Sequence, residues 1–350
     1  MNTKIIASLL TILAVGAVAT AGTVAYFTDE ETSTGNTFTA GTIDISVDGQ
    51  NPWIGQFTLG DMKPGYTDEI VFNVQNTGSD PNPVNIYKNL NVTSEATGAQ
   101  SEPECTEESG AWDNATKVCS AMSAQNNNLS SAIVYDLKVD VYNSGGTKVW
   151  WQTIYVDSDN QTIDDVYYGG TAYDKRVYLG MIPSGGYMTV TQSYHLADGT
   201  TNWAQGDIMT FDIKLTAEQL KGVATLEDKT DAPDYKLVLG NGIEGTLTYK
   251  VKNPTFDFSF TGKAPLVSTG YTLLAVTDPW PQTGSKVLGT GTTDLSGNIT
   301  ITGNIDTGDL KDKKVWLIQS SDWNGTIMTG WHQTNYLLET GLIWYEDTGI

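Results

Sequence analysis

An all-β fold, a jelly-roll or β-sandwich domain followed by a second, smaller β-sandwich, is predicted by three features of the 350-residue sequence. Gly, Thr, Ser, Asn, Val and Tyr dominate while Lys, Arg and Glu are scarce, which suits short strands and polar turns better than amphipathic helices. Apolar and polar residues alternate with period 2 in several stretches. Clusters rich in Gly, Asn, Ser and Pro separate those stretches at short intervals.

The first 25 residues read as a processing segment outside the fold. Lys4 is the sole charge ahead of the apolar run Ile5 to Ala19, and the small-residue stretch Thr20-Ala21-Gly22-Thr23-Val24-Ala25 follows it. This is the order of a secretory signal: n-region, h-region, cleavage site. Ile5 to Ala25 also approaches the roughly 20 residues that span a bilayer, but Ser8, Thr11, Gly16, Thr20 and Gly22 dilute it and no basic cluster flanks it. Cleavage is therefore the expected fate, leaving a chain with no membrane insertion.

Within residues 26–222, the first domain, Tyr135, Leu137, Val139 and Val141 alternate with Asp136, Lys138 and Asp140, and Phe211, Ile213 and Leu215 alternate with Asp212 and Lys214. Each run predicts a strand with one buried face. Met188, Val190, Tyr194 and Leu196 form another inward series, which sets Thr189, Thr191, Ser193 and His195 outward. Asn143-Ser144-Gly145-Gly146, Pro183-Ser184-Gly185-Gly186 and Asp198-Gly199 supply turns. Around residue 222 the pattern breaks into the polar stretch Leu226 to Pro233, and a second domain is expected over 223–350. Its strands are Thr272 to Thr277, Ile299 to Thr302 and Val315 to Gln319, with turns at Asp278-Pro279, Ser296-Gly297 and Asp306-Thr307-Gly308. The formal net charge of -22, from 41 acids against 19 bases, repels nucleic acid and anionic lipid alike. Neither is an expected partner, although such acidity also serves solubility alone.

Family resemblance enters at Ala25-Tyr26-Phe27-Thr28-Asp29-Glu30-Glu31-Thr32-Ser33-Thr34-Gly35-Asn36-Thr37-Phe38-Thr39-Ala40-Gly41-Thr42-Ile43-Asp44-Ile45, which resembles the N-terminus of the TasA/camelysin family. Gly60-Asp61-Met62-Lys63-Pro64-Gly65 followed by Ile70 to Gly78, then Gly180 to Gly186, then Gln205 to Ile213, continue the match in the family's order. The resemblance covers about residues 20 to 220. It implies export through a SipW-type signal peptidase and assembly into extracellular fibres, and it is similar to that of archaeal bundling pilins. The second domain looks like a small β-sandwich carried by some archaeal and bacterial surface proteins. Some camelysin-like members have been classed as metallopeptidases, so catalysis has to be tested on the residues.

A common zinc peptidase needs two His one helical turn apart with a Glu between them. This chain has only His195 and His332, far apart in sequence, and no Gly-x-Ser-x-Gly elbow. No enzymatic activity is expected, and no cofactor is implied beyond a calcium ion. Cys105 and Cys119, set among Glu102, Glu104, Glu107, Glu108 and Asp113, read as the disulfide of an exported protein, stapling an insertion. Two thiols without further Cys or His are too few for zinc. Asp157, Asp159, Asn160, Asp164 and Asp165 form an oxygen-rich loop of the kind that holds calcium, but Thr162 and Tyr168 replace the Gly and Glu of an EF-hand, and a solvated loop is the alternative. Six Asn-x-Ser/Thr sequons occur, at Asn91, Asn114, Asn128, Asn160, Asn298 and Asn324, close to the number chance gives at this composition.

Residues 26–36 remain, with Tyr26 and Phe27 at the tip and the polar run Thr28, Asp29, Glu30, Glu31, Thr32 behind it. The first secure strand of the core is expected at Thr37 to Val47, so this end has no place in its own sandwich and is suited to strand donation: the tail of one subunit fills a sheet edge of the next. The sequence thus predicts a secreted cell-surface or biofilm-matrix protein whose partner is itself, as a homopolymer, with other matrix components possible. A monomeric surface coat or adhesin with a frayed N-terminus is the alternative. Removal of residues 1–25 is checked by intact mass or N-terminal sequencing of the surface form; Tyr26 as first residue is the expected result, and retention of Met1 would overturn it.

Overall fold

The computed structural model describes residues 28–32, 43–54, 67–78, 82–121, 127–156, 160–167, 175–231, 234–276 and 281–349. The signal segment, Tyr26 and Phe27, the loop at 60–65, and Asp157 and Asp159 lie outside the described residues. The fold is all-β. The first half contributes β1 (Thr28–Thr32), β2 (Ile45–Val47), β3 (Asp68–Asn76), β4 (Val84–Ala96), β5 (Ala111–Asp113), β6 (Val118–Ser120), β7 (Ile133–Tyr142), β8 (Lys148–Tyr155), β9 (Val177–Ile182), β10 (Tyr187–Leu196) and β11 (Ile208–Gln219), with two short helices, α1 (Glu102–Glu107) and α2 (Ile163–Tyr167).

Nine of these strands form two antiparallel sheets, ordered β1-β11-β4-β9 and β2-β3-β10-β7-β8, and β5 and β6 form a separate hairpin. Period-2 alternation gives each a buried face: Val84, Ile86, Leu90, Val92, Ile213 and Leu215 from one meet Phe72, Val74, Leu137, Val139, Met188 and Val190 from the other in a single core. Turns close at Ser144-Gly145, Ser184-Gly185 and Asp198-Gly199. Residues 37–42 of the expected strand at Thr37 to Val47 lie outside the described residues; within 43–47 the strand is Ile45–Val47. His195 corrects the alternation: it is buried, not outward, and pairs in register with the fully buried Val134. Both faces of the sheet are covered at that end, so polarity alone misplaces the residue.

After Gly222 the chain builds a separate pair of sheets. Gly222 has φ +68°, and a Cβ there would meet the Tyr249 carbonyl oxygen at 1.9 Å, so only glycine makes this crossing. The strands are β12 (Val223–Glu227), β13 (Glu244–Tyr249), β14 (Lys252–Asn253), β15 (Phe256–Lys263), β16 (Gly270–Val276), β17 (Lys286–Thr292), β18 (Asn298–Ile305), β19 (Lys314–Gln319) and β20 (Glu346–Asp347). Sheets β12-β13-β15-β18 and β17-β16-β19 share a core of Leu247, Phe256, Phe260, Tyr271, Leu273 and Leu317. Strand β16 is buried on both faces: Leu274 and Val276 pack with Trp316, Ile318, Met328 and Tyr336 in a second cluster, which explains its nearly continuous apolar run. The two sandwiches touch, since Leu342 from the C-terminal one joins the first core and Trp151 packs edge-on against Tyr235 with ring centroids 5.8 Å apart.

The first core contains one charged residue type that alternation forces inward. Lys88 occupies the phase of Val84, Ile86, Leu90 and Val92 on β4 and has no exposed surface. Its Nζ donates to the hydroxyls of Tyr135, at 2.7 Å, and Tyr167, at 2.9 Å, and lies 4.8 and 5.0 Å from their ring centroids. Tyr135 in turn donates to Gln192 Oε1 at 3.2 Å. Burial holds the Lys88 amine well below the usual lysine range and pushes both phenols up. Since the unfolded amine keeps its proton to about pH 10.4 while the folded one sheds it earlier, the unfolded state binds the extra proton between those two values and stability rises with pH there, by up to about 1.4 kcal/mol per unit. Urea unfolding followed as pH rises toward about 9.5, below the tyrosine range, should show stability rising with pH in the native protein and not in Lys88→Met; equal slopes would refute the buried neutral amine.

Candidate assembly edge

Strand β11 lies between β4 and β1, with β1 at the margin of the sheet. It pairs with β4 along its whole length, with one irregularity between Thr210 and Phe211, and presents its other side to β1. The β1 register is antiparallel: Thr28 opposite Glu218, Asp29 opposite Ala217, Glu30 opposite Thr216, Glu31 opposite Leu215 and Thr32 opposite Lys214. Leu215 and Ala217 belong to the core. The residues facing them across the ladder are acids, and none of the five β1 residues is apolar. Backbone pairing therefore holds β1 in place, with no apolar residue of its own to add to the core. The expectation of a tail with no place in its own chain is corrected here for Thr28 to Thr32, because the open edge of β11 supplies that place.

The end of the slot near Thr28 is built from charges and rings. Glu218 is buried and accepts from Arg176, with Lys221 Nζ 3.6 Å away. The Arg176 guanidinium lies 4.3 Å from the Tyr87 ring centroid, and Tyr87 packs against Tyr178 at 5.3 Å. Burial, then the Glu218 charge, raises the Tyr87 phenol above its ordinary value. Beyond this stack opens a cleft of about 610 Å³ between the two sandwiches. Glu227 on its far wall has its carboxyl pushed up to about 7 by burial and by the nearby Glu244 and Asp228.

The remaining residues singled out in the sequence are dispersed. Cys105 and Cys119 are joined in a disulfide with Cα atoms 5.6 Å apart, tying α1 to the β5–β6 hairpin. A capping box starts α1, Ser101 Oγ accepting from Glu104 N at 3.3 Å while the Glu104 carboxylate accepts from Ser101 N at 3.1 Å. Asp165 accepts from Thr162 N and Oγ1, at 3.0 and 2.9 Å, so its carboxylate caps α2, whose first turn also contains Asp164. The acceptor Asn114, Asn128, Asn160, Asn298 and Asn324 are exposed, whereas Asn91 on β4 is half-buried. His195 lies in the first sandwich and His332 in the second, where its Nδ1 is 2.8 Å from Asp322 Oδ2. Among the described residues no three His, Cys, Asp or Glu side chains are grouped to hold a metal. Nor is any helix among them long and apolar enough to cross a membrane. Sequence reasoning missed Lys88 and the Arg176–Glu218 pair; Lys88 was findable from its phase on β4, whereas Arg176 and Glu218 meet only through the sheet.

Residues 1–111 match a family model described as camelysin metallo-endopeptidase. The N-terminal third of the chain is thus similar to the camelysin family, as its motifs imply, and no curated protein matches the chain. The matched region contains no histidine, and its one cysteine, Cys105, is committed to the disulfide. That donor set does not fit a zinc centre. Replacing both cysteines, Cys105→Ser with Cys119→Ser, should lower stability by about 3 kcal/mol while the sandwich still folds; urea unfolding and circular dichroism check it, and loss of β structure would show that the bridge builds the core.

Proposed function

We propose that this chain is an exported, non-enzymatic structural subunit of extracellular fibres, in which β1 is exchanged between neighbouring copies. The observation that carries the reading is the pairing of a wholly polar, five-residue edge strand with β11. An exchanged β1 makes the same ladder with a neighbour that it makes at home, so the exchange costs little in contacts. Each subunit then gives one strand and receives one, a head-to-tail contact that propagates when its rotation does not close. The camelysin-type N-terminal region supports export to the surface, and the chain's own copies are the partner. The acidic surface of net charge -22 keeps separate fibres soluble.

The intrachain ladder also favours a second reading, a monomeric coat or adhesin in which β1 simply closes the sheet. A register pair separates the two. With Glu30→Cys and Thr216→Cys introduced together, oxidation during assembly should give a ladder of covalent multimers under exchange, and only intrachain bridges in a coat protein. Deleting residues 26–36 should abolish fibres seen by electron microscopy and leave both sandwiches folded, and adding the peptide Tyr26 to Asn36 should raise the melting temperature of the deleted form. Fibres that form normally without the segment would refute the exchange.

A further inference from the structure

Large apolar side chains are exposed at scattered positions on this protein, Leu295 and Ile54 among them, and single cases need no explanation. Three of them are not scattered. Tyr178 at 39 %, Val223 at 48 % and Leu239 at 50 % exposure line the same cleft of about 610 Å³, over buried Trp150, Ile154 and Leu342. Its walls come from both sandwiches, so it is a concave apolar surface of ligand size and not a flat patch.

The position of the cleft relative to β1 identifies an occupant. Thr28 stands opposite Glu218, and Glu218 is itself part of the cleft wall. A chain continuing backward from Thr28 along β11 runs past Gln219 and Leu220 to Lys221 and Val223, which are again cleft wall. The residues that continue it are Phe27 and Tyr26, preceded by Ala25 and Val24. Two residues of extended chain reach about 7 Å, enough to pass from the end of the ladder into the cleft mouth. The segment has what β1 lacks, apolar and aromatic bulk immediately ahead of five polar residues.

We infer that the cleft between the sandwiches is the seat of Tyr26 and Phe27 from whichever copy supplies β1. The polar strand sets the register along β11, and the aromatic pair provides the apolar anchor at one end of it. The second sandwich acquires a role in this arrangement: Val223, Leu239 and Leu342 form a wall that the first sandwich alone does not have.

The test uses the mature full-length chain with Phe27 replaced by p-benzoylphenylalanine, which keeps an aromatic ring and forms a covalent adduct on irradiation. Peptide mapping should place the adduct on the stretches around Tyr178, Val223 or Leu239. Leu239→Arg, a change at an exposed turn, should cut the yield by at least about tenfold, the scale of losing one well-buried apolar contact. Adducts elsewhere, no adducts, or a yield indifferent to Leu239→Arg would overturn the inference. Whether the cleft adduct lies within one chain or joins two copies bears only on strand exchange, so failure of that reading is distinguishable from failure of this one.

Discussion

The backbone of β11 has to be paired on both sides. One side is satisfied by β4 over its whole length, and the other is satisfied over Lys214 to Glu218 by β1. Leu215 and Ala217 sit in the core, so this edge carries backbone groups that need a partner directly beside buried side chains. The remaining architecture follows from how that edge is filled. A covalently tethered, purely polar strand of the same chain fills it. Edge strands are usually protected against strand addition by charge. Here the charges sit on the added strand, while the receiving strand carries buried apolar residues.

Much of the sandwich was legible because period 2 is a strong signal where one face is buried and the other wet. Tyr135, Leu137, Val139 and Val141 on β7 and Ile213 and Leu215 on β11 are inward as their alternation predicts. Legibility failed where both faces are covered or where a polar residue occupies the inward phase. His195 was set on the outer face by alternation, yet that face is also covered beside Val134, so the residue is buried. Gln192 and Lys88 stand inward among apolar neighbours, and only the tyrosine hydroxyls brought by β7 and α2 explain how they are tolerated. The pairing of β1 was illegible for a different reason: nothing in Thr-Asp-Glu-Glu-Thr marks a strand, and its partner lies far along the chain.

The Lys88 network and the β1 slot are opposite uses of polarity in one sheet. Lys88 is locked by two phenols and its release would leave buried hydroxyls unpaired, so it fixes β4 against β7 and α2 as a permanent contact. At the margin of the same sheet, β1 is held to β11 by its backbone ladder. One sheet thus combines an interior specified by side-chain hydrogen bonds with a margin held by a backbone ladder.

The metallo-endopeptidase description attached to the family raises a question of which feature the family shares. The match over residues 1–111 takes in the N-terminal segment and the first strands, and that region contains no histidine and no free cysteine. A catalytic zinc site requires three protein ligands converging on one point with an open fourth position. Here the two histidines of the whole chain lie in different sandwiches, His195 buried on β10 and His332 beside Asp322. What the matched region does contain is the strand that closes the sheet and the aromatic pair that precedes it. The residues of the matched region do not make a zinc ligand set, and similarity over residues 1–111 does not by itself carry catalysis to this chain.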